Sequence, residues 1–167
     1  SQLFKLRDSL EATMVSANFC DFQTGELIFP PYEILSFGEV DIAFMGFTTT
    51  TTPTMVAPHT FLDENKEIVY GFYRPTFYEN AQRQIDKARS EGADYVVVLS
   101  HLGDSDRGEH ASSVSLITRT TGIDVVLDGH DHQVIPDSVV YNREGKPVLL
   151  ASTGLKFQNI GLLTLSE

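Results

Sequence analysis

Two apolar runs on either side of a predicted helix constrain the fold of this chain more than any other feature. Residues 94–100 read Asp-Tyr-Val-Val-Val-Leu-Ser, and residues 124–127 read Asp-Val-Val-Leu. A helix is predicted between them, over about 112–121, just before Gly122. A strand, a helix and a second strand in this order form a crossover that leaves the two strands parallel. The sequence therefore predicts an α/β fold, with these two strands adjacent in one sheet.

The preceding residues extend the same alternation of helices and strands. Thr76 and Glu79 have the spacing of a capping box, and Gly92 is placed to end the helix that follows. One face of this helix is apolar, with Phe77, Ala81, Ile85 and Ala88. Strands are also predicted over 13–19, 32–37 and 40–47, and the last two form a hairpin through Gly38 and Glu39. Near the start, the recurrence of Leu3, Leu6 and Leu10 is typical of an amphipathic helix.

Composition narrows the possible partners. The chain has 167 residues and a formal net charge of −11, spread along its length. Such a charge repels phosphate backbones, so we expect no general binding to nucleic acid. No apolar stretch approaches the ~20 residues of a membrane span. Cys20 is the single cysteine, which excludes an internal disulfide, and we expect it to be a small core residue.

Histidines follow both apolar runs directly. His101 comes after the first run, and His130 and His132 lie in the segment Asp-Gly-His-Asp-His after the second. Because the carboxyl ends of adjacent parallel strands share one edge, the three imidazoles should converge there. Neutral imidazole nitrogens bind zinc, manganese, iron and similar ions. We therefore predict a metal site, against the alternative of three unrelated polar loop residues; His110 is interpreted as a capping or supporting residue.

The segments around these histidines resemble a known family. The sequence VVVLSHLGDSD followed by GIDVVLDGHDH resembles the C-terminal half of a calcineurin-like metallophosphoesterase domain. The nearest branch contains 5′-nucleotidases, UDP-sugar hydrolases and 2′,3′-cyclic-nucleotide phosphodiesterases. MVSANF near the start and ASTGLKFQNIGLLTL near the end resemble further strands of that domain. The resemblance implies a layered α/β sandwich of the metallophosphoesterase type, with residues 1–167 forming an incomplete catalytic domain, its second half.

The resemblance also implies a ligand set. Family members hold two divalent ions, such as zinc, manganese or cobalt, with ligands from five short motifs. By this resemblance His101 and His130 would bind one ion, and His132 would bind the other. The three earlier motifs, Asp-x-His, Gly-Asp and Gly-Asn-His-Glu, do not occur before His101. We therefore expect the catalytic residues to lie in a preceding segment, and we assign no catalytic residue within this chain.

These expectations lead to a function for a longer protein. The resemblance implies a metal-dependent hydrolase of small phosphate esters, most readily nucleotides, in the periplasm, at the cell surface or secreted. The isolated chain is expected to be inactive, to hold no ion or one weakly bound ion, and to self-associate through apolar surface left open. Two alternatives remain: a binding or regulatory module that has lost catalysis, and a small α/β protein with one structural metal.

Overall fold

A six-stranded mixed sheet with helices packed on one face forms the centre of the molecule. The computed structural model describes residues 2–55, 58–72, 76–105 and 111–165. The helices are α1 (Gln2–Ser9), α2 (Thr52–Met55), α3 (Phe77–Ser90) and α4 (Ser113–Arg119), with a 3₁₀ turn at Pro58–Phe61. The strands are β1 (Phe19–Asp21), β2 (Tyr32–Phe37), β3 (Val40–Thr48), β4 (Tyr70–Phe72), β5 (Tyr95–His101), β6 (Val125–Asp128), β7 (Val134–Tyr141) and β8 (Pro147–Thr153).

The order of the strands confirms the predicted fold class. The large sheet runs β2-β3-β5-β6-β8-β7, and β1 pairs with β4 in a separate two-stranded sheet. The four inner strands are parallel, whereas β2 and β7 are antiparallel edges. Strands β5 and β6 pair directly, with Val97 opposite Val125 and Leu99 opposite Leu127. The prediction of adjacent parallel strands is thus confirmed, and so is the hairpin through Gly38 and Glu39.

Helices α3 and α4 cover one face of the sheet and create the main core. Alternate residues of each strand point toward them because successive side chains of a strand project to opposite faces. Val96, Val98 and Val126 are buried on this face, against Ile85 of α3 and Leu116 of α4. The predicted apolar face of α3 is confirmed, since its four members are all buried.

The opposite face of the sheet is less completely covered. Val97 and Val125 are buried on it and Leu163 packs there, but Leu99 is 43% exposed. The chain after β8 also leaves large apolar side chains in solvent, including Phe157 and Ile160. The described residues therefore present apolar surface on one side of the sheet, and the strand over 94–100 is not fully covered on both faces.

Two local predictions were wrong, and polar side chains explain both. No strand covers residues 13–18; β1 begins at Phe19. The side-chain amide of Asn18 bonds both the carbonyl and the N–H of Thr48, which fixes an irregular segment in place of a ladder. At α3 no side-chain capping bond forms. The hydroxyl of Thr76 accepts instead from the side chain of Asn80.

The cap of α4 was not predicted from the sequence, and α1 packs less closely than its apolar pattern indicates. Ser112 and Ser115 form a reciprocal capping box at the start of α4, where serine replaces the usual glutamate or glutamine. Helix α1 is present as predicted, yet none of its residues is buried. Cys20 is buried, as expected, and burial raises the pKa of its thiol. In the described ranges, no helix has the length and apolar character to cross a membrane.

Replacing Leu116 with alanine should lower the free energy of unfolding by about 2–5 kcal/mol, because it leaves a cavity between α4 and the sheet. Leu162→Ala is the matched control, since Leu162 is 92% exposed and its loss should change stability by no more than about 0.5 kcal/mol. Urea unfolding followed by circular dichroism measures both. Equal losses in the two variants would contradict the assigned core.

Candidate metal site

Two of the three predicted histidines meet at the carboxyl edge of the sheet. His101 is the last residue of β5, and His130 lies in the loop that follows β6. Their rings are edge-to-face with centroids 5.0 Å apart. His130 Nδ1 and His101 Nε2 are 3.4 Å apart, so one nitrogen of each ring faces the other. The parallel pairing of β5 and β6 creates this juxtaposition from residues far apart in sequence.

His132 lies at the same edge, exposed and two residues beyond His130. It is close enough that its charge acts on His101. Across residues 2–55, 58–72, 76–105 and 111–165, however, no three histidine, cysteine, aspartate or glutamate side chains are grouped so that they could hold a metal ion. His110 lies outside the described residues, and its assignment stays a prediction.

The backbone of the loop after β6 adopts a conformation that is rare outside glycine. His130 has φ of 73° and His132 has φ of 57°, both left-handed. Such conformations cost free energy and persist only where surrounding contacts impose them. The backbone at both histidines is therefore constrained by contacts of the loop.

Two carboxylates bind the backbone of the loop that contains His101: Asp128 at the end of β6, and Asp131 in the loop that follows. Asp128 Oδ1 accepts hydrogen bonds from the N–H groups of Leu102 and Gly103, each at 3.3 Å, and from Gly129 at 2.8 Å. Asp131 Oδ2 accepts from the N–H of Asp104 at 3.0 Å. The bonds from backbone N–H groups to Asp128 and Asp131 shape the turns, and Asp131 also bonds the side chain of Asp104.

Protonation near the histidines is also affected by these contacts. A hydrogen bond with the side chain of Asp131, followed by burial, raises the pKa of Asp104. Desolvation lowers the pKa of His101, the neighbouring charge of His130 lowers it further, and Asp128 acts in the opposite direction. A lowered pKa means that His101 loses its proton at lower pH. Its neutral form, which is the form that binds metals, is then available over a wider pH range.

The donor set fits part of a metal site. Two nitrogens that each lie about 2.0–2.1 Å from one tetrahedral ion are about 3.4 Å apart, which is the observed spacing between His101 and His130. A complete site needs further ligands, because structural zinc sites use four and catalytic ones usually three. Asp128 Oδ1 and Asp131 Oδ2 accept backbone N–H groups, and among the described residues no third histidine, cysteine, aspartate or glutamate side chain completes a group that could hold an ion. The described residues therefore supply a two-imidazole half-site.

His101 borders a shallow depression on the open face of the sheet. Its volume is about 280 Å³, and Leu99, His101 and Leu127 are among the residues that line it. A larger depression of about 600 Å³ lies elsewhere, between α3 and α4, where Arg83 and Arg119 contribute to its lining. The larger depression therefore does not coincide with the histidines, and the donor atoms of the two imidazoles define the candidate site.

Known proteins share both the sequence pattern and the fold. No protein-family model matches the chain. A 2′,3′-cyclic-nucleotide 2′-phosphodiesterase/3′-nucleotidase of Salmonella typhimurium is 28% identical over 134 residues, which are 73% of this chain and 20% of that protein. A 5′-nucleotidase of Vibrio cholerae is 27% identical over 140 residues, 80% of this chain and 24% of the relative. The chain matches the 5′-nucleotidase branch of the metallophosphoesterases over part of its length.

A solved structure shows that the fold is shared as well. The sulfate thiohydrolase SoxB of Thermus thermophilus superposes with a TM-score of 0.65 at 24% identity, covering 90% of this chain and 24% of that one. This likeness shows the fold alone. The chain spans about a fifth to a quarter of the length of these curated relatives and of this structure.

Gly103 is a residue that the sequence argument did not single out, although it directly follows His101 and Leu102. Its φ is +86°, and a Cβ placed there would lie 2.5 Å from Asp131 Oδ2 and 3.2 Å from His130 Cδ2. Any larger side chain would push the Asp131 carboxylate from the N–H of Asp104. The absence of a side chain at Gly103 therefore permits the close approach of the two loops.

Gly103→Ala should lower the free energy of unfolding by about 1–2 kcal/mol from the left-handed backbone, plus about 1–3 kcal/mol from the displaced Asp131 hydrogen bond. Gly145→Ala is the matched control, since Gly145 has φ of +77° and a Cβ added to it would meet no atom within 4 Å. It should show the backbone cost alone. Chemical denaturation measures both, and a Gly103 variant no less stable than the control would contradict the close approach.

Proposed function

We propose that this chain is part of the catalytic domain of a metal-dependent phosphoric ester hydrolase acting on nucleotides or related small phosphate esters. The observation that carries the proposal is the pair of imidazole nitrogens, His130 Nδ1 and His101 Nε2, 3.4 Å apart at the carboxyl edge of two parallel strands. Open α/β sheets place their ligand sites at this edge. The sequence relatives are nucleotidases and phosphodiesterases, which supports the class of substrate.

The choice of phosphate over sulfate depends on the sequence relatives. One similar solved structure is a sulfate thiohydrolase, so the fold accommodates more than one kind of substrate. The segments around His101 and His130 carry the resemblance to nucleotide phosphoesterases. Within that class we propose a nucleoside monophosphate, a cyclic nucleotide or a nucleotide sugar as the substrate.

His101, His130 and His132 are the residues we propose as metal ligands. His101 and His130 would share one divalent ion, and His132 would contribute to a second. When bound, two such ions polarise a phosphoryl oxygen and lower the pKa of the attacking water. The two histidines on the loop after β6 would hold their nitrogens in place through a constrained backbone, and the lowered pKa of His101 would keep it neutral.

The remaining ligands and the catalytic acid are proposed to come from a segment that precedes this chain in the longer protein. The described residues provide two converging imidazoles, whereas two ions with their positive charge require carboxylates and a bridging group. We propose that the reading frame upstream of Ser1 encodes Asp-x-His, Gly-Asp and Gly-Asn-His segments, together with a signal for export to the periplasm, the cell surface or the medium.

A single-metal structural site is the second candidate, because the spacing of His101 and His130 suits one tetrahedral ion. The two candidates differ in a measurable way. A structural ion raises the free energy of unfolding of this chain and needs no upstream segment. A half-site of a two-metal enzyme binds an ion weakly until the other ligands are supplied.

The 167-residue chain, purified and supplied with manganese, cobalt or zinc, should not hydrolyse a generic phosphate ester or AMP faster than its His130→Ala variant. The reason is that the proposed acid and most of the proposed ligands are not in this chain. Release of inorganic phosphate is the measurement. Metal-dependent release clearly above that of the variant would show that the chemistry requires fewer residues than we propose.

The same experiment on the longer protein tests the positive half of the proposal. There, metal-dependent release should appear, and His101→Ala or His130→Ala should reduce it by at least about a hundredfold, as expected when a metal ligand is lost. His59→Ala is the control, since His59 is an exposed histidine of the 3₁₀ turn. Full activity in both ligand variants would refute the assignment.

We also expect the isolated chain to self-associate. The open sheet face and the segment after β8 expose apolar side chains, among them Leu99, Phe157 and Ile160. Contiguous apolar patches of this kind are typical of surfaces that are covered in the working protein. Sedimentation velocity should show species larger than the 18.5 kDa monomer, increasing with concentration. A strictly monomeric chain at high concentration would contradict this expectation.

A further inference from the structure

We propose that Asp128 is a positioning residue that fixes the distance between His101 and His130 by joining their two loops. This inference rests on the proposed metal site, although the joining itself is a property of the chain. A single oxygen, Oδ1, accepts three backbone N–H groups: those of Leu102 and Gly103 in the His101 loop, and that of Gly129 in its own loop. Each histidine is the immediate neighbour of a residue held in this way.

The contact pattern is more specific than an ordinary turn. The N–H groups of three consecutive residues, Leu102, Gly103 and Asp104, donate to carboxylates at the end of β6 and in the loop that follows it. Successive N–H groups of this kind form a concave site for an anion. Here Asp128 accepts from the first two and Asp131 from the third, and the N–H of Leu102 is shared with the hydroxyl of Ser100 at 3.1 Å. The backbone of the His101 loop is therefore bound by the side chains of Asp128 and Asp131.

Hydrogen bonds to a carboxylate are stronger than bonds between neutral groups, which suits this role. Asp128 is also only partly exposed, so water competes less for its oxygen than at an open surface. The position of His101 Nε2 relative to His130 Nδ1 depends on the relative position of the two loops. Without Asp128 the strands would still pair, but the two loops beyond their ends would lose the hydrogen bonds that Asp128 accepts from Leu102, Gly103 and Gly129.

Asp124, at the other end of β6, provides a matched control for Asp128. It lies just before β6, at the opposite end of the strand from Asp128, and its Oδ2 accepts from the N–H of Val96 at 2.7 Å and from Arg89 Nη2 at 2.5 Å. Asp124 therefore also joins the β5 and β6 segments through a backbone N–H. It does so at the edge away from the histidines, and it carries an ion pair in addition.

The test compares Asp128→Ala, Asp128→Asn and Asp124→Ala in the 167-residue chain. Asparagine retains an oxygen that can accept the same three N–H groups, whereas alanine removes it. Co²⁺ affinity is measured by titration of its visible absorption, and the separation of the His101 and His130 rings by nuclear Overhauser contacts. Amide hydrogen exchange of Leu102, Gly103 and Gly129 measures, without any metal, whether Asp128 accepts their hydrogen bonds; we call this set of bonds the clamp.

Asp128→Ala should weaken Co²⁺ binding about 10- to 100-fold, the range for residues that support metal ligands, and should remove the ring contact. Exchange of the Leu102 and Gly103 amides should be about tenfold faster. Asp128→Asn should stay within about threefold of the unaltered chain in Co²⁺ affinity, since it loses charge but keeps the acceptor. Asp124→Ala should lower stability while leaving the ring contact and the Co²⁺ affinity intact.

Other outcomes overturn the inference. It is wrong if Asp128→Ala keeps the ring contact, or if Asp124→Ala weakens Co²⁺ binding equally, because general destabilisation would then explain the loss. If Asp128→Ala fails to fold, protection of the three amides in the unaltered chain decides; exchange as fast as in open loops refutes the clamp. If the unaltered chain binds no Co²⁺, which agrees with a half-site that lacks its other ligands, the ring contact and the amide exchange decide for or against Asp128.

Discussion

The parallel pairing of β5 with β6 is the interaction on which the rest of the structure depends. Val97, Val98 and Leu99 lie opposite Val125, Val126 and Leu127, so the two strands end at the same edge. This register brings the loop of His101 against the loop of His130. It also directs Val98 and Val126 toward the helices, where their burial stabilises the sheet. One pairing thus sets both the core and the candidate site.

The two ends of this strand pair carry different polar contacts. At the beginning of the strands Asp124 binds an arginine and a backbone N–H, which neutralises its charge. At their ends Asp128 and Asp131 accept hydrogen bonds from backbone N–H groups, and His130 and His132 lie beside them in sequence. The first edge suits stability, and the second concentrates negative charge beside groups that can bind cations. This asymmetry follows the general location of ligand sites in parallel sheets.

The sequence predicted the parts of the fold that depend on repeating patterns. The apolar runs, the face of α3 and the hairpin through Gly38 were recognisable because burial imposes periodicity on side chains. Polar bonds between distant residues have no such period. The Asn18 amide that binds Thr48, the Thr76–Asn80 pair and the Ser112 cap could therefore not be predicted from spacing. At the site, the identity of the histidines was visible, but the three N–H groups bound by Asp128 depend on loop geometry.

The left-handed backbone at His130 and His132 restricts how this loop can change over evolutionary time. Branched aliphatic and bulky residues are strongly disfavoured there, whereas glycine, asparagine, aspartate and histidine adopt this conformation more readily. Three of those four carry an atom that can bind a cation. The backbone conformation of the loop therefore restricts which substitutions are tolerated. Even when selection acts on folding alone, most of the tolerated residues can still coordinate a metal.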